Sequence, residues 1–255
     1  MSLDLDLLAQ YYDLLHGDFE EDLPMWAILA QTAAGPILEV GCGTGRLLLP
    51  LAQAGHTLTG LDLSPIALAT AQAKLVAAGL AEQVTLVQAD MRDFDLPQKN
   101  FSLAFMPLNT FMHCQSVAEQ LATLQAIHRH LQPDGQLIID LFYPDPVMLA
   151  EVDGRLYFEA ESTAESTGHT VQWYWRHDID LAEQVRHLTY ILDEIDRAGH
   201  VRRVTMPFSL RFVYRFELEL LLTMSGYAIE TIYGSYELEP FDSNSSRMIF
   251  VAAKQ

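Results

Sequence analysis

The apolar positions of this chain change their spacing as the sequence proceeds, and the spacing predicts the elements. From Pro36 to Phe142, short and nearly unbroken apolar runs alternate with segments of helical period. Ile37–Val40, Thr57–Leu61, Val84–Gln88, Ser102–Met106 and Gln136–Leu141 read as five strands. Between them, Arg46–Ala54, Pro65–Ala78 and about Val117–His130 read as helices. Ser64 fits the N-cap of the second helix, with Pro65 at its first helical position. A Pro133-Asp134-Gly135 turn precedes the fifth strand. Strands without polar alternation are covered on both faces, and strand–helix alternation specifies a parallel sheet between helical layers.

From about Asp145 to Arg211 the pattern becomes that of antiparallel strands joined by polar turns. VQWYW (171–175), RHLTYILDEI (186–195) and HVRRVTMPFSL (200–210) carry it, with a turn at Asp196–Gly199. Helical spacing returns at Phe216–Met224, followed by strands at Tyr227–Tyr233 and RMIFVAA (247–253). With no helix between them, these last two should pair as an antiparallel hairpin at the sheet edge.

Composition narrows the class. Apolar residues are 50% of the chain and charged residues 19%, ordinary values that exclude a disordered or fibrous protein. A net charge of −19 argues against nucleic acid, whose binding needs cations to displace counterions, and against an anionic lipid surface. No apolar run approaches the ~20 residues that cross a bilayer. The N-terminal stretch carries acidic residues ahead of its apolar positions and does not read as a signal peptide. Two cysteines, Cys42 and Cys114, cannot build a disulfide framework or a cysteine zinc site, and the nine histidines show no ligand constellation. No metal is expected. A cytoplasmic protein is.

The strongest local signal is ILEVGCGTGRL, where a strand enters Gly41-x-Gly43-x-Gly45 and runs into a helix. Glycines there let the backbone turn tightly and approach a ligand, while the helix start offers unpaired N–H groups. A dinucleotide fingerprint would place its third glycine at position 46, which is Arg46. The loop therefore suits a nucleoside with an amino-acid tail better than a pyrophosphate. Asp62, 21 residues beyond Gly41 at the second strand end, can accept from both ribose hydroxyls. At the third strand end, the Asp90 carboxylate can take an adenine amino hydrogen and the Met91 amide can reach a ring nitrogen.

At this point the sequence resembles the class I S-adenosylmethionine-dependent methyltransferases. The resemblance rests on EVGCGTG (39–45), LDLS (61–64), QADMRDF (88–94), FSLAFMPLNTF (101–111) and LQPDGQLIIDLF (131–142). It is closest in pattern to small-molecule N-methyltransferases of the amino-sugar and glycine type. It implies an α/β fold: a Rossmann-like, doubly wound seven-stranded sheet, mostly parallel with an antiparallel C-terminal strand, plus a β-rich antiparallel insertion. The chain would divide into 1–144, an N-terminal helical segment with the cofactor-binding core; 145–211, a substrate lid or dimerisation surface; and 212–255, a helix and hairpin completing the core. The cofactor would be S-adenosyl-L-methionine, leaving S-adenosyl-L-homocysteine. Glu39, Gly41, Gly43 and Gly45 would hold its methionine portion, Asp62 and Leu63 its ribose and adenine, and Asp90 with Met91 the adenine. Pro107 and Leu108 would line the site beneath the sulfonium.

Other candidates carry two readings each. The segment of Tyr11 and Tyr12 would fold over the cofactor, with Tyr12 near the methyl group, or would dock its aromatic face on the core. Cys42 lends its backbone to the loop, its thiol being a small buried filler. His113, just past the fourth strand beside Asn109, is a general base, an orienting group for the acceptor, or a structural histidine. Trp173 and Trp175 share a strand face with Val171 and form either an aromatic wall over substrate or the insertion's own core, the latter favoured. Arg247 binds a substrate carboxylate or pairs with surface acids.

The expected activity is methyl transfer to a small-molecule acceptor, an amine before a hydroxyl, by in-line displacement. The alternatives are a non-catalytic S-adenosylmethionine-binding module and a nicotinamide-dependent oxidoreductase. A DNA methyltransferase usually shows [N/D]-P-P-[Y/F/W] after the fourth strand, where this chain has Met106-Pro107-Leu108-Asn109.

Overall fold

A computed structural model describes residues 4–150, 154–164 and 167–255. In chain order the elements are helix α1 (Leu5–His16), α2 (Leu23–Gln31), β1 (Ile37–Val40), α3 (Leu48–Gln53), β2 (Leu58–Asp62), α4 (Pro65–Ala77), β3 (Val84–Gln88) and β4 (Phe101–Met106). A 3-10 turn at Thr110–His113 leads to α5 (Val117–His130), β5 (Leu131–Phe142) and the short α6 (Pro146–Ala150). Then come β6 (Tyr157–Ala164), β7 (His169–Asp180), β8 (Val185–Ile195), β9 (Val201–Arg211), α7 (Arg215–Met224), β10 (Tyr227–Tyr233) and β11 (Arg247–Lys254).

The described residues form two compact units, one of residues 19–143 with 213–255, the other of 1–18 with 144–212. The sequence reading grouped the first helix with the cofactor core. Its contacts instead group it with the antiparallel strands, because Leu7, Leu8, Tyr11, Leu14 and Leu15 pack against Val171, Leu192, Val204 and Met206.

The larger unit is a seven-stranded sheet in the order β10-β11-β5-β4-β1-β2-β3. β1 to β5 run parallel to one another, and β11 lies antiparallel between β5 and β10. The order doubles back at β1, and the ends of β1, β2 and β4 meet at that reversal, where open α/β sheets bind ligands. β1 and β4 are buried at every position, as coverage on both faces demands. The Ser64 hydroxyl accepts from the Ala67 N–H at 3.1 Å, which starts α4 where the sequence places it. Ser116 caps α5 in the same way at 3.2 Å.

Several boundaries shift by one residue, and two in the larger unit differ by more. α3 begins at Leu48 rather than Arg46, because the glycine loop consumes the two residues before it. The Pro133–Gly135 turn lies inside β5 as a bulge: Leu131 pairs Phe101, and pairing with β4 resumes at Gln136 opposite Leu103.

The smaller unit is the antiparallel sheet β6-β7-β8-β9 with α1 on one face. The predicted turn at Asp196–Gly199 closes through the Asp196 carboxylate, which accepts from the Ala198 and His200 N–H groups. β6 was not anticipated. Its sequence, YFEAESTA, is mostly solvated and carries little apolar alternation.

Candidate functional site

The glycine loop leaves β1 with Gly41, Gly43 and Gly45 all at positive φ: 77°, 53° and 81°. That backbone is one L side chains rarely adopt. The space around each glycine differs. A Cβ on Gly41 would lie 2.5 Å from the Thr110 methyl, and one on Gly45 would lie 3.1 Å from the Ala71 Cβ. A Cβ on Gly43 would meet nothing within 4 Å. The outer two glycines thus let neighbouring elements close in, and the middle one faces open space. This is a cradle of backbone that a ligand, rather than protein, would fill.

Asp62 at the end of β2 ties the cradle to its neighbour strand. Its carboxylate accepts from the Gly43 N–H at 2.8 Å and from the Ser64 N–H at 2.8 Å. The two bonds fix both the loop and the start of α4 around one acid. Leu63 beside it is an exposed large apolar side chain, the kind of surface a purine ring covers. Beneath the loop, Glu39 is buried and its Oε2 has no hydrogen-bond partner. Burial pushes its carboxyl well above the usual range, and the neighbouring Arg46 guanidinium pulls the other way. A buried carboxyl oxygen without a partner costs about 1–3 kcal/mol, so a ligand group that hydrogen-bonds to it would relieve that cost. Cys42 is buried, its thiol raised by burial and by the adjacent acids, so it stays a neutral filler.

Arg46, the residue that breaks the dinucleotide fingerprint, has a definite partner. Its guanidinium grips buried Asp22 through two 2.7 Å bonds and also donates to the Phe19 carbonyl, while Trp26 Nε1 donates to Asp22 at 3.0 Å. A glycine at position 46 would lose this anchor between the loop and α2. Sequence reasoning noted Arg46 as an exclusion and missed it as a structural element.

Asp90 is held more tightly than expected. Arg92 donates to both of its oxygens, through its backbone N–H, Nε and Nη2, and reaches Glu119 on α5 through Nη1 at 2.7 Å. These bonds keep the Asp90 carboxyl below the usual carboxylate range. Asp90 and half-buried Met91 therefore sit on a loop pinned to α5, and an adenine amino group would share the carboxylate with Arg92.

After β4, Pro107 is buried and Leu108, Asn109 and Thr110 are half-buried. Leu108 and Asn109 both take the left-handed conformation, at φ 45° and 66°. Asn109 Oδ1 accepts from the Phe142 N–H at 2.6 Å, leaving its Nδ2 hydrogens to other partners. The His113 ring lies at the end of the 3-10 turn, and burial depresses it to about 4. It is a neutral imidazole at pH 7.

Arg247 is not a surface ion pair. It donates to Asp140 through Nε at 2.8 Å and through Nη2, and its guanidinium lies 5.0 Å from the Tyr236 ring centroid. Asp140 is fully buried. Tyr11, Tyr12 and Trp173 lie in the smaller unit. The Tyr11 hydroxyl donates to Glu194 at 2.7 Å, and the Tyr12 ring sits 5.1 Å from His16. The Trp173 ring packs between His16 and Tyr190, with its Nε1 buried and unpartnered. Each of these has a packing partner within its own unit. Among the described residues no cluster of three metal-ligating side chains occurs, and no helix is long and apolar enough to cross a membrane.

Known proteins resemble this chain in sequence and in fold. The methyltransferase domain family matches residues 37–135, from the first residue of β1 into β5. The cypemycin N-terminal methyltransferase of a Streptomyces species is 27% identical over 219 residues, 86% of this chain and 83% of that protein. The dTDP-3-amino-3,6-dideoxy-alpha-D-glucopyranose N,N-dimethyltransferase of Streptomyces fradiae is 31% identical over 172 residues, 64% of this chain and 62% of that protein. The S-adenosylmethionine-bound structure of CalS10, an amino pentose methyltransferase of Micromonospora echinaspora, covers 96% of this chain and 97% of its own. It superposes with a TM-score of 0.74 at 25% identity. With residues 37–135 matched by the methyltransferase domain family and a fold shared with CalS10 almost end to end, the chain is similar to the class I enzymes: it is an S-adenosylmethionine-dependent methyltransferase, and S-adenosylmethionine is its methyl donor.

Proposed function

We propose that the protein transfers a methyl group to the amine nitrogen of a small molecule. The observation that carries the cofactor half is the open space at Gly43, whose N–H is held by Asp62, with the buried and unpartnered Glu39 oxygen two residues before Gly41 in β1. Glu39 and the three loop glycines would hold the amino-acid tail, Asp62 and Leu63 the ribose and one purine face, and Asp90 and Met91 the adenine edge. Pro107 and Leu108 line the sulfonium side. The bound cofactor supplies a methyl group on a positively charged sulfur, which departs as a neutral thioether.

The rest falls to the chain. It must align the acceptor lone pair with the S–CH3 axis and exclude water, and alignment of this kind is worth up to ~7–11 kcal/mol in favourable cases. Asn109 Nδ2 offers hydrogen-bond donors at the exit of β4, and neutral His113 offers a ring nitrogen a few residues on. With its pKa near 4, His113 is too weak a base to strip an ammonium at pH 7. It orients the acceptor, and the amine arrives with its lone pair free. Amine acceptors are supported by the relatives whose names specify N-terminal, amino-sugar and amino-pentose methylation.

The test is methyl transfer from radiolabelled S-adenosylmethionine across a panel of amino sugars, amino acids and short peptides, each beside its hydroxyl counterpart. Turnover confined to the amines supports the proposal. Turnover of the hydroxyl compounds alone, or tight S-adenosylhomocysteine binding with no turnover of any, overturns it.

A further inference from the structure

Asp140 stands in the middle of β5 between Ile139 and Leu141, where the sheet itself asks only for an apolar side chain. A carboxylate there is desolvated completely, and a buried ion pair seldom stabilises more than well-packed apolar residues would. What its atoms hold is therefore informative. Oδ2 accepts from the Leu108 N–H at 3.0 Å and from the Tyr236 hydroxyl at 3.4 Å. The Asp140 carbonyl accepts from the Asn109 N–H at 2.9 Å. Oδ1 is held by Arg247, which reaches it from β11. Two residues further along β5, the Phe142 N–H is tied back to the same turn through Asn109 Oδ1.

These bonds converge on the two residues after β4 that lack glycine's freedom yet sit in the left-handed region. Such a backbone persists only where its surroundings over-determine it. The next residue, Thr110, places its methyl group in the space that Gly41 leaves by having no Cβ. The turn thus joins the β5 acid to the cofactor loop.

We propose that Asp140, locked by Arg247, is a positioning residue for methyl transfer: it fixes the Leu108–Asn109 turn so that Asn109 and His113 present their polar atoms to the acceptor. The inference rests on the reading of Asn109 and His113 given above, but its conformational half stands apart from that reading.

The experiment pairs hydrogen exchange with kinetics on the full chain. Asp140→Asn keeps the shape but replaces one acceptor oxygen with a donor. Exchange within residues 107–113 should rise about tenfold, with 37–47 and 58–64 unchanged, in protein saturated with S-adenosylhomocysteine. Affinity for S-adenosylhomocysteine, by calorimetry, should change by less than about threefold, while kcat for the best amine of the panel falls about 100-fold. Arg247→Lys, which keeps a cation beside Asp140, should recover most of kcat, and Arg247→Met should not. Should Asp140→Asn fail to fold, Tyr236→Phe removes the longest of these bonds and should show the same signs on a smaller scale. Unchanged protection of 107–113, or loss of protection across the whole core with kcat per folded molecule intact, overturns the proposal. If the wild-type protein methylates no amine, the functional reading fails, and the exchange arm alone decides whether Asp140 fixes the turn.

Discussion

The two units of this chain are built on opposite principles. In the larger one, the proposed cofactor site is built from backbone: positive-φ glycines, strand ends at a reversal of sheet order, and acids that grip amide groups. In the smaller one, long antiparallel strands carry aromatic side chains, and stability comes from rings packed on one face under a single helix. A backbone-built site tolerates little substitution, because each residue is chosen for the space or bond it leaves. A side-chain-built face can be altered one ring at a time. If that contrast is right, substitutions in the larger unit should remove cofactor binding, and substitutions in the smaller one should change stability alone.

The largest effect is expected from Asp62→Ala. It removes the proposed ribose acceptor and also frees the Gly43 and Ser64 amides, so the cradle would lose its shape along with that ligand contact. Two charge-assisted hydrogen bonds of this kind are worth about 3–6 kcal/mol, so S-adenosylhomocysteine affinity should fall at least about 100-fold in calorimetry. Affinity within threefold of wild type would show that the loop holds itself.

Next come the glycines, which separate ligand space from protein space. Gly43→Val puts its side chain where no protein atom lies, so the fold should survive the left-handed strain of about 1–3 kcal/mol while S-adenosylhomocysteine binding disappears. Gly45→Val drives its side chain towards Ala71 on α4 and should lower the melting temperature more than Gly43→Val does. Equal melting temperatures, or retained binding in Gly43→Val, would mean that the cradle does not face the cofactor.

How much of this was legible beforehand follows from the same contrast. The parallel strands stood out because coverage on both faces leaves unbroken apolar runs, and the glycine loop and Asp62 because their spacing is set by one strand–helix–strand step. β6 was missed because an edge strand with mostly solvated residues has no period to detect. The Asp140–Arg247 pair was invisible for another reason. Its members are 107 residues apart, and only the insertion of β11 beside β5 brings them together. Arg247 could be read as a scarce cation and nothing more. Arg46 was legible as a departure from a glycine pattern, but its grip on Asp22 depends on how α2 enters the sheet. Long-range pairing of charged groups is the part of a site that a single sequence hides best.

His113 offers a smaller effect with a definite sign. Burial holds its folded-state value near 4, below the ordinary 6.5. Between those values the unfolded chain binds a proton that the folded chain does not, so its contribution to stability is full above about pH 6.5 and declines as the pH falls towards 4. His113→Asn should therefore flatten the fall of melting temperature between pH 6.5 and 4 relative to wild type. It should lower kcat modestly and leave no inflection to lose near pH 6.5, because the imidazole is already neutral there. A wild-type kcat profile with a histidine-like inflection that vanishes in His113→Asn would restore the role of general base.

The smallest effect tests the other unit. The Tyr11 hydroxyl donates to Glu194, and that carboxylate is also paired with Arg202 at 2.8 Å. Tyr11→Phe keeps the ring against Val171, Leu192, Val204 and Met206 and deletes the bond to Glu194, whose carboxylate retains Arg202, together with a long 3.4 Å bond that the hydroxyl accepts from Arg202 Nη1. The loss should be about 1 kcal/mol, a fall of roughly 2–4 °C in melting temperature. S-adenosylhomocysteine affinity should stay within about twofold, since the bond lies wholly inside the antiparallel unit. A large drop in affinity from so slight a change would show that the cofactor site draws on α1 as well as on the glycine loop, and the division between a backbone-built site and a side-chain-built face would have to be redrawn around Tyr11.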